Sequence, residues 1–507
     1  MRALLITSLL VWSLASTSCS TAPMTTIPEC GGAISCGPPD DGGSGPCIAD
    51  PSLGPPEERC GVFVSSSLGA DENAGTKLQP VRSIQHAIEL ASAGHSRVYA
   101  CAEEFREAVD LPPGVELWGG LDCIDGWRHV GKDRKTTLAT SAGEIPLRVT
   151  GNGPGSIVAD IRAEAADATE PGGSSIAMLV LPDASVEILR SELVAGHGAP
   201  GLRGEDGSST PAKAGTPGNS GANACSADVV LGGAPVETVC GDAISVGAQG
   251  GAGYISSGAD GEDGQPEPSP STGHGLGGVG MNDSTLTCIN GMNGHTGRSG
   301  DHGLGAKGPG RLTISGWEGE KGQDGGDGEP AQGGGGGGGR AGGNIRCGFG
   351  IDKGGAGGGG GGGGGCGGKG AKGGGFGGAS IGLVSLSPGV SARSTTIATG
   401  NGGDGGNGGF PQFGGAGGAR GLGGSHFYGA ATGCNGGPGG SGGHGGFGGG
   451  GLGGPSIGIA HLAGAPVAQE DVTIEIGLPG MGGLPDYPDM PPSIGEDGVA
   501  APVFAFP

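Results

Sequence analysis

The chain has 507 residues, of which 129 are glycine and 36 proline, and only 4% are aromatic. Such a composition excludes a conventional large apolar core for most of its length. With 50 acidic residues against 26 basic ones the formal charge is −24, which repels phosphates and anionic lipid and excludes nucleic acid as a partner.

Residues 1–19 follow an export pattern: Arg2, an apolar run from Ala3 to Ala15, then Ser16-Thr17-Ser18-Cys19. The segment resembles a lipoprotein signal with Cys19 as the lipidated residue, departing from it in that Ser16 stands where the motif usually has leucine. Ser20 after Cys19 is not the Asp that resembles an inner-membrane retention signal, so an outer-membrane or cell-surface location, anchored through lipid, is expected. If Cys19 carries lipid, 12 of the 13 cysteines remain, and an even number in an exported chain reads as disulfides.

Residues 20–60 read as a disordered Pro/Gly-rich tether, with the neighbouring pairs Cys30/Cys36 and Cys47/Cys60 as candidate small loops. Over 61–195 the pattern changes. Val62-Phe63-Val64 is a short strand, and Val81–Ser92 is one amphipathic helix with Ile84, Ala87, Ile88 and Ala91 on its apolar face. Short strands follow at 98–101, 108–111, 115–118, 147–149, 157–161, 176–181 and 186–189, separated by Gly, Pro or Asp. Such spacing suits an all-β sandwich or a coiled parallel β-helix.

Residues 196–480 read as a glycine-rich repeat region interleaved with β-like runs, its tracts carrying glycine at every third position, as in GAPGLRGEDG from Gly198, and tightening to GNGGDGGNGG from Gly400. Three residues is the period of a polyproline-II-type helix. β-like runs recur between the tracts at 228–231, 311–314, 379–384, 394–398, 456–460 and 472–476. The expected arrangement is a strand body that emits glycine-rich excursions, packed beside it as polyglycine-II-like bundles. The competing reading is flexible coil, because glycine loses the most entropy on ordering. Residues 481–507 read as a tail.

The runs GADENAGTKLQPVRSIQHAIELA and VYACAEEFREAVDLPPGVELWGGLDCIDGW resemble the start of right-handed parallel β-helices of the pectin-lyase-like superfamily. The matched features are a Gly-Thr loop and Pro before a capping helix, then a G-V-x-L-x-G-G rung at Gly114–Gly120. The resemblance implies that Cys101 and Cys123 sit on adjacent rungs and form a disulfide, and that Trp118 and Trp127 are packing residues. The doubled-glycine segments resemble the repeats of the PE-PGRS surface family, without that family's N-terminal domain.

Chemistry is sparsely signalled. Gly-His-Gly, as in polygalacturonases, occurs at His197, His274 and His444, but the partner elements Asn-Thr-Asp and Arg-Ile-Lys are missing, and paired carboxyls at fixed spacing are not defined. Gly439–Gly443 fits G-x-S-x-G without a strand before or a helix after it. Gly363–Lys369 imitates a phosphate loop, but Gly370 replaces the Ser/Thr. Asp301, Asp324, Asp327 and Asp404 lie in glycine turns, where structural calcium is one reading and solvated acids the other. No catalytic residue, cofactor or assigned metal site follows. The expected function is a structural or adhesion protein whose partners are a membrane, through the lipid anchor, and polysaccharide or cell-surface components. The alternative is a polysaccharide-binding or polysaccharide-degrading β protein.

Overall fold

The computed structural model describes residues 47–94, 96–267, 272–282, 286–426, 431–486 and 491–507. Residues 1–19, expected to direct export, with Cys19, and Cys30 and Cys36 of the expected tether lie outside these residues.

Alternating apolar residues in short strands need two partners in register, and the chain supplies them by repetition. Three parallel sheets form, the first with one added antiparallel strand, Arg128–His129, on Glu116–Asp122. The first contains Val62–Val64, Arg97–Cys101, Glu116–Asp122, Ser156–Ala159, Ser185–Leu189, Gly389–Arg393 and Ala468–Glu470. The second contains Glu104–Phe105, Thr136–Ala139, Ile161–Ala165, Glu192–Ala195, Thr396–Thr399 and Thr473–Glu475. The third contains Val109–Leu111, Leu147–Val149, Ser175–Val180, Ser380–Ser385, Ser456–Leu462 and Ala500–Phe506. From Arg97 onward the chain visits first, second and third sheet in that order, and then begins again.

This order stacks like on like. In the second sheet the register aligns Phe105, Leu138, Ala163, Leu193, Ile397 and Ile474 in one column. In the first it aligns Val62, Val98, Leu117, Val158, Ile188 and Ala392. The columns meet in one core, with every member buried except Ile474, which is partly so. Each fully buried Leu or Ile contributes roughly 1.5–3 kcal/mol. Gly458 lies at the inner side of the third sheet, where a Cβ would collide with the Ile474 side chain. The helix Ile84–Ser92 buries its expected face, Ile84, Ala87, Ile88 and Ala91, against this core. Its first free amides, Ile84 N and Gln85 N, donate to the carboxylate of Glu107 at 2.7 and 3.1 Å.

The segment Cys47–Cys60, assigned to the tether on sequence, carries two short 3-10 turns closed by a Cys47–Cys60 disulfide. Its neighbours Phe63, Tyr99, Trp118 and Trp127 form a separate cluster with Cys60 and Cys101, consistent with a packing role for both tryptophans. Burial there pushes the Tyr99 hydroxyl up to about 12. Asp50 pairs with Arg190, which also holds the buried Asp160.

The glycine-rich residues leave the sheets at one corner. Three excursions, 196–379, 400–455 and 476–499, each depart from a second-sheet strand and return to a third-sheet strand. Their described glycine tracts are held in place by backbone hydrogen bonds. The tract from Gly357 to Gly365 shows the rule. Gly357, Gly360 and Gly363 donate to Ala222, Asn219 and Thr216, and Gly358 and Gly361 donate to Gly251 and Ala248. Gly359, Gly362 and Gly365 donate to Cys434, Gly437 and Gly440, all at 2.8–3.0 Å. Successive amides thus face three different tracts in rotation, the period of the polyproline-II class of helix. The same tract accepts from 331–337 and from 418–424.

Glycine content follows position in this array. The tracts Gly333–Gly339 and Gly354–Cys366 are buried throughout; enclosed on all sides, they are almost pure glycine. The tract 401–424 packs on several sides and reads G-G-X; the tract 198–221 lies at the edge and reads G-X-X. A helix of three residues per turn points its positions in three directions, so each packed side claims one glycine per triplet.

The array rests on the outer face of the third sheet. Ile176, Leu179, Ile381, Val384, Ile457 and Ala460 pack there against Ala306, Trp317, Phe376 and Leu452. Trp317 meets Phe376 edge-on with ring centroids 5.8 Å apart. The third sheet is therefore apolar on both faces, and its strands Ser175–Val180 and Ser380–Ser385 are buried at every residue.

Two expected strands are corrected. Residues 228–231 form no strand of the body; Val230 makes one antiparallel bridge to Gly253 at the edge of the array, with Val229 and Leu231 exposed. The run at 311–314 is one arm of a hairpin, Arg311–Thr313 with Gly316–Glu318, which places Trp317 against the third sheet. The C-terminal segment, read as a tail, ends in the third-sheet strand Ala500–Phe506.

Candidate interaction surface

The surface of the glycine array displays mainly the X positions of its triplets. On the tract 401–424 these begin with Asn401, Asp404, Asn407, Phe410 and Phe413 and continue through Ala416, Ala419 and Leu422. The first three hold the next tract: their side-chain oxygens accept from Leu478 N, Met481 N and Leu484 N at 2.8–2.9 Å. Beyond them the row turns aromatic. Phe410 lies 5.6 Å from Phe413 and 5.2 Å from Phe447; Phe413 lies 5.1 Å from His444, and Phe447 5.5 Å from His302. Beside His444 opens a groove of about 540 Å³, lined by Pro211, Thr296, Ser299, Ala416, Ser441 and glycine backbone.

The histidines are part of the array. His197 Nδ1 accepts from Asn401 N at 2.9 Å, His444 Nδ1 from Gly414 N at 3.0 Å, and His302 Nδ1 from Phe447 N at 3.1 Å. His274 lies edge-on to His295. A ring nitrogen that accepts a backbone N–H keeps its lone pair engaged, so His197 and His444 hold tracts together rather than standing beside paired carboxyls.

The aspartates considered for calcium are placed likewise. Asp324 accepts from Gly373 N and Lys372 Nζ, and Asp327 from Gly370 N and Lys369 Nζ. These bonds hold both carboxyls below their ordinary range. Asp301 pairs with Arg298. Among the described residues no group of three or more His, Cys, Asp or Glu is gathered as a metal site. The phosphate-loop imitation, Gly363–Lys369, runs from an enclosed tract to an exposed lysine paired with Asp327, and Ser441 of the G-x-S-x-G match stands exposed on the groove.

Disulfides staple the body and the array separately. Cys101 is joined to Cys123 in the body, and within the array three bridges unassigned from sequence, Cys225–Cys347, Cys240–Cys366 and Cys288–Cys434, join segments across separations of 122, 126 and 146 residues.

One charged cluster is centred on a buried carboxylate. Asp160 meets His129 Nε2 at 3.0 Å, Arg190 at 2.9 Å and Lys135 Nζ at 3.8 Å. Burial pushes its carboxyl up, but hydrogen bonds and charge from His129 and Arg190 outweigh this and hold it below the ordinary value. The cluster fastens the 47–60 segment to the sheets through Asp50.

The aromatic row escaped the reading of the sequence because its members come from different tracts. The signal that could have found it is the three-residue spacing of Phe410/Phe413, across Pro411 and Gln412, and of His444/Phe447, across two glycines. No family model, no curated protein and no solved structure matches this chain.

Proposed function

We propose that this chain is an exported, lipid-anchored cell-surface protein with a structural or adhesive role, built on a right-handed parallel β-helix of the pectin-lyase-like kind that carries a polyglycine-II lattice. The repeated first-second-third order of the sheets and the aligned apolar columns support the β-helix. One observation supports the role above others: the lattice turns its X positions outward at a fixed three-residue interval while its interior is locked by backbone hydrogen bonds. A surface held by backbone has little conformational freedom to lose on contact, so binding is less opposed by ordering. The glycan-like surroundings of a cell envelope are the partner class in this reading, and Cys19 is the anchor.

The test is expression in a Gram-negative host of the wild-type chain and Cys19→Ser, with metabolic palmitate labelling, membrane fractionation and protease treatment of whole cells. The expected result is a labelled wild-type protein in the membrane fraction, cleaved on intact cells, and an unlabelled variant released from it. An unlabelled chain that retains residues 1–19 in the cytoplasm contradicts the proposal.

A further inference from the structure

We propose that the groove beside His444, together with the aromatic row that leads from it, binds an uncharged chain of pyranose sugars. The inference rests on reading the lattice as a binding face, and it names the ligand class.

The groove is without carboxylate or cation: its side chains are those of Pro211, Thr296, Ser299, Ala416, Ser441 and His444. In a chain of net charge −24 an uncharged groove fits a neutral ligand. A polyanion would meet the acidic remainder of the surface without a local cation to offset it. Its volume of about 540 Å³ lies within the ordinary range for small-ligand sites, roughly 300–1,000 Å³.

The chemistry of the walls matches a pyranose, which has polar edges and an apolar C–H face. Hydroxyls of Thr296, Ser299 and Ser441 donate and accept; the glycine amides of the lining donate within the array, so the backbone offers a ligand carbonyl oxygens, which it approaches closely because no side chain intervenes. His444 Nδ1 accepts from Gly414 N, so the neutral ring carries its proton on Nε2 and that nitrogen is a donor. Phe413, 47% exposed, packs against the His444 ring. Its face carries the negative quadrupole that attracts the C–H edges of a sugar. The row then continues through the half-buried Phe410 and Phe447, which meet edge-on, to His302 in centroid steps of 5.2–5.6 Å, an apolar margin along which an extended glycan runs beyond Phe413. Stacked nucleobases use similar rings, but with a cationic groove for the phosphates, and the lining holds none.

The experiment is isothermal titration of the purified full chain with cellohexaose, xylohexaose and mannohexaose, with hexagalacturonate as the anionic comparison. At least one neutral oligosaccharide is expected to bind saturably. Phe413→Ala is expected to weaken that binding about tenfold, the effect of losing roughly one good aromatic contact. Ser299→Glu, which adds bulk and charge to the groove on an exposed position, is expected to abolish it. Circular dichroism of both variants should match the wild type.

Absence of binding to all three neutral sugars overturns the proposal, as does unchanged affinity in folded Phe413→Ala. Tighter binding of hexagalacturonate also overturns it. So does a concentration-dependent dimer that Phe413→Ala disperses, which would make the row a contact between copies. None of these results touches palmitate labelling or surface exposure, so loss of the ligand is distinguishable from loss of the surface-protein reading.

Discussion

The carbonyl oxygen of Gly334 occupies the space that a Cβ on Gly361 would require. Gly361 in turn donates its amide to Ala248, and Gly334 donates to Gly362. Close approach and hydrogen bonding are therefore one requirement at these positions: the tracts bond because nothing larger than hydrogen separates them.

This relationship divides substitutions by position in the triplet. Gly361→Ala forces a methyl against backbone that cannot rotate away, and is expected to destabilise by about 1–3 kcal/mol or more, as overpacking does. Leu202, 65% exposed at an X position, should tolerate alanine within about 0.5 kcal/mol. Urea unfolding of the two variants checks the contrast. Similar losses for both would show that glycine spacing does not measure packing.

The stacked columns give a second expectation. Leu193 is fully buried between Ala163 and Ile397. Leu193→Ala removes transfer energy and leaves a cavity, and should cost about 2–5 kcal/mol. The exposed strand residue Glu475, in the second sheet next to Ala398, should by comparison accept glutamine with little change.

The bridge Cys240–Cys366 ties the hairpin Val236–Cys240/Ala243–Gly247 to the end of the enclosed glycine tract. Replacing both cysteines with serine is expected to lower stability by about 2–5 kcal/mol, the usual effect of removing a native disulfide. Limited proteolysis should then show new cleavage within 196–379 while the strand body persists. An unaltered digestion pattern would remove the bridge from the account.

Asp160 supplies a pH dependence. Its folded-state pKa is lowered by His129 and Arg190 against the opposing effect of burial. The unfolded chain therefore binds its proton first as pH falls. The stabilisation is complete above the ordinary carboxylate value, about 4, and is lost as pH drops through the lowered folded value. Wild type should lose more stability than Asp160→Asn between neutral pH and the far acid side. The variant should itself be less stable by about 1–3 kcal/mol at pH 7, because buried charge-assisted bonds to Asp160 are lost, while Arg190 keeps Asp50 and Lys135 keeps the Gly131 carbonyl. Parallel pH profiles for the two proteins would contradict this assignment.

Much of the body was legible locally. The helix face Ile84, Ala87, Ile88 and Ala91 and the strand Val62–Val64 follow from periodicity alone, and both form as expected. Glu104–Phe105 was missed because two residues carry no period. Ala500–Phe506 was missed because Pro502 interrupts its pattern, which an edge strand tolerates. The run at 228–231 misled for the opposite reason: its valines and leucine have strand propensity, but no sheet edge lies beside them, and the array takes their backbone instead. Nothing local could pair Phe410 with Phe447, because that neighbour relationship arises only when two glycine tracts lie side by side.

Hydrogen exchange, read by mass spectrometry on peptides covering Gly354–Cys366, tests most directly whether the glycine tracts are folded. Enclosed amides that each donate to a neighbouring tract should exchange only through opening of the array, with protection comparable to that of the buried strand Ser380–Ser385. Exchange of this segment at the rate of an unstructured peptide, while Ser380–Ser385 stays protected, would contradict the account and leave the strand body carrying flexible glycine coils.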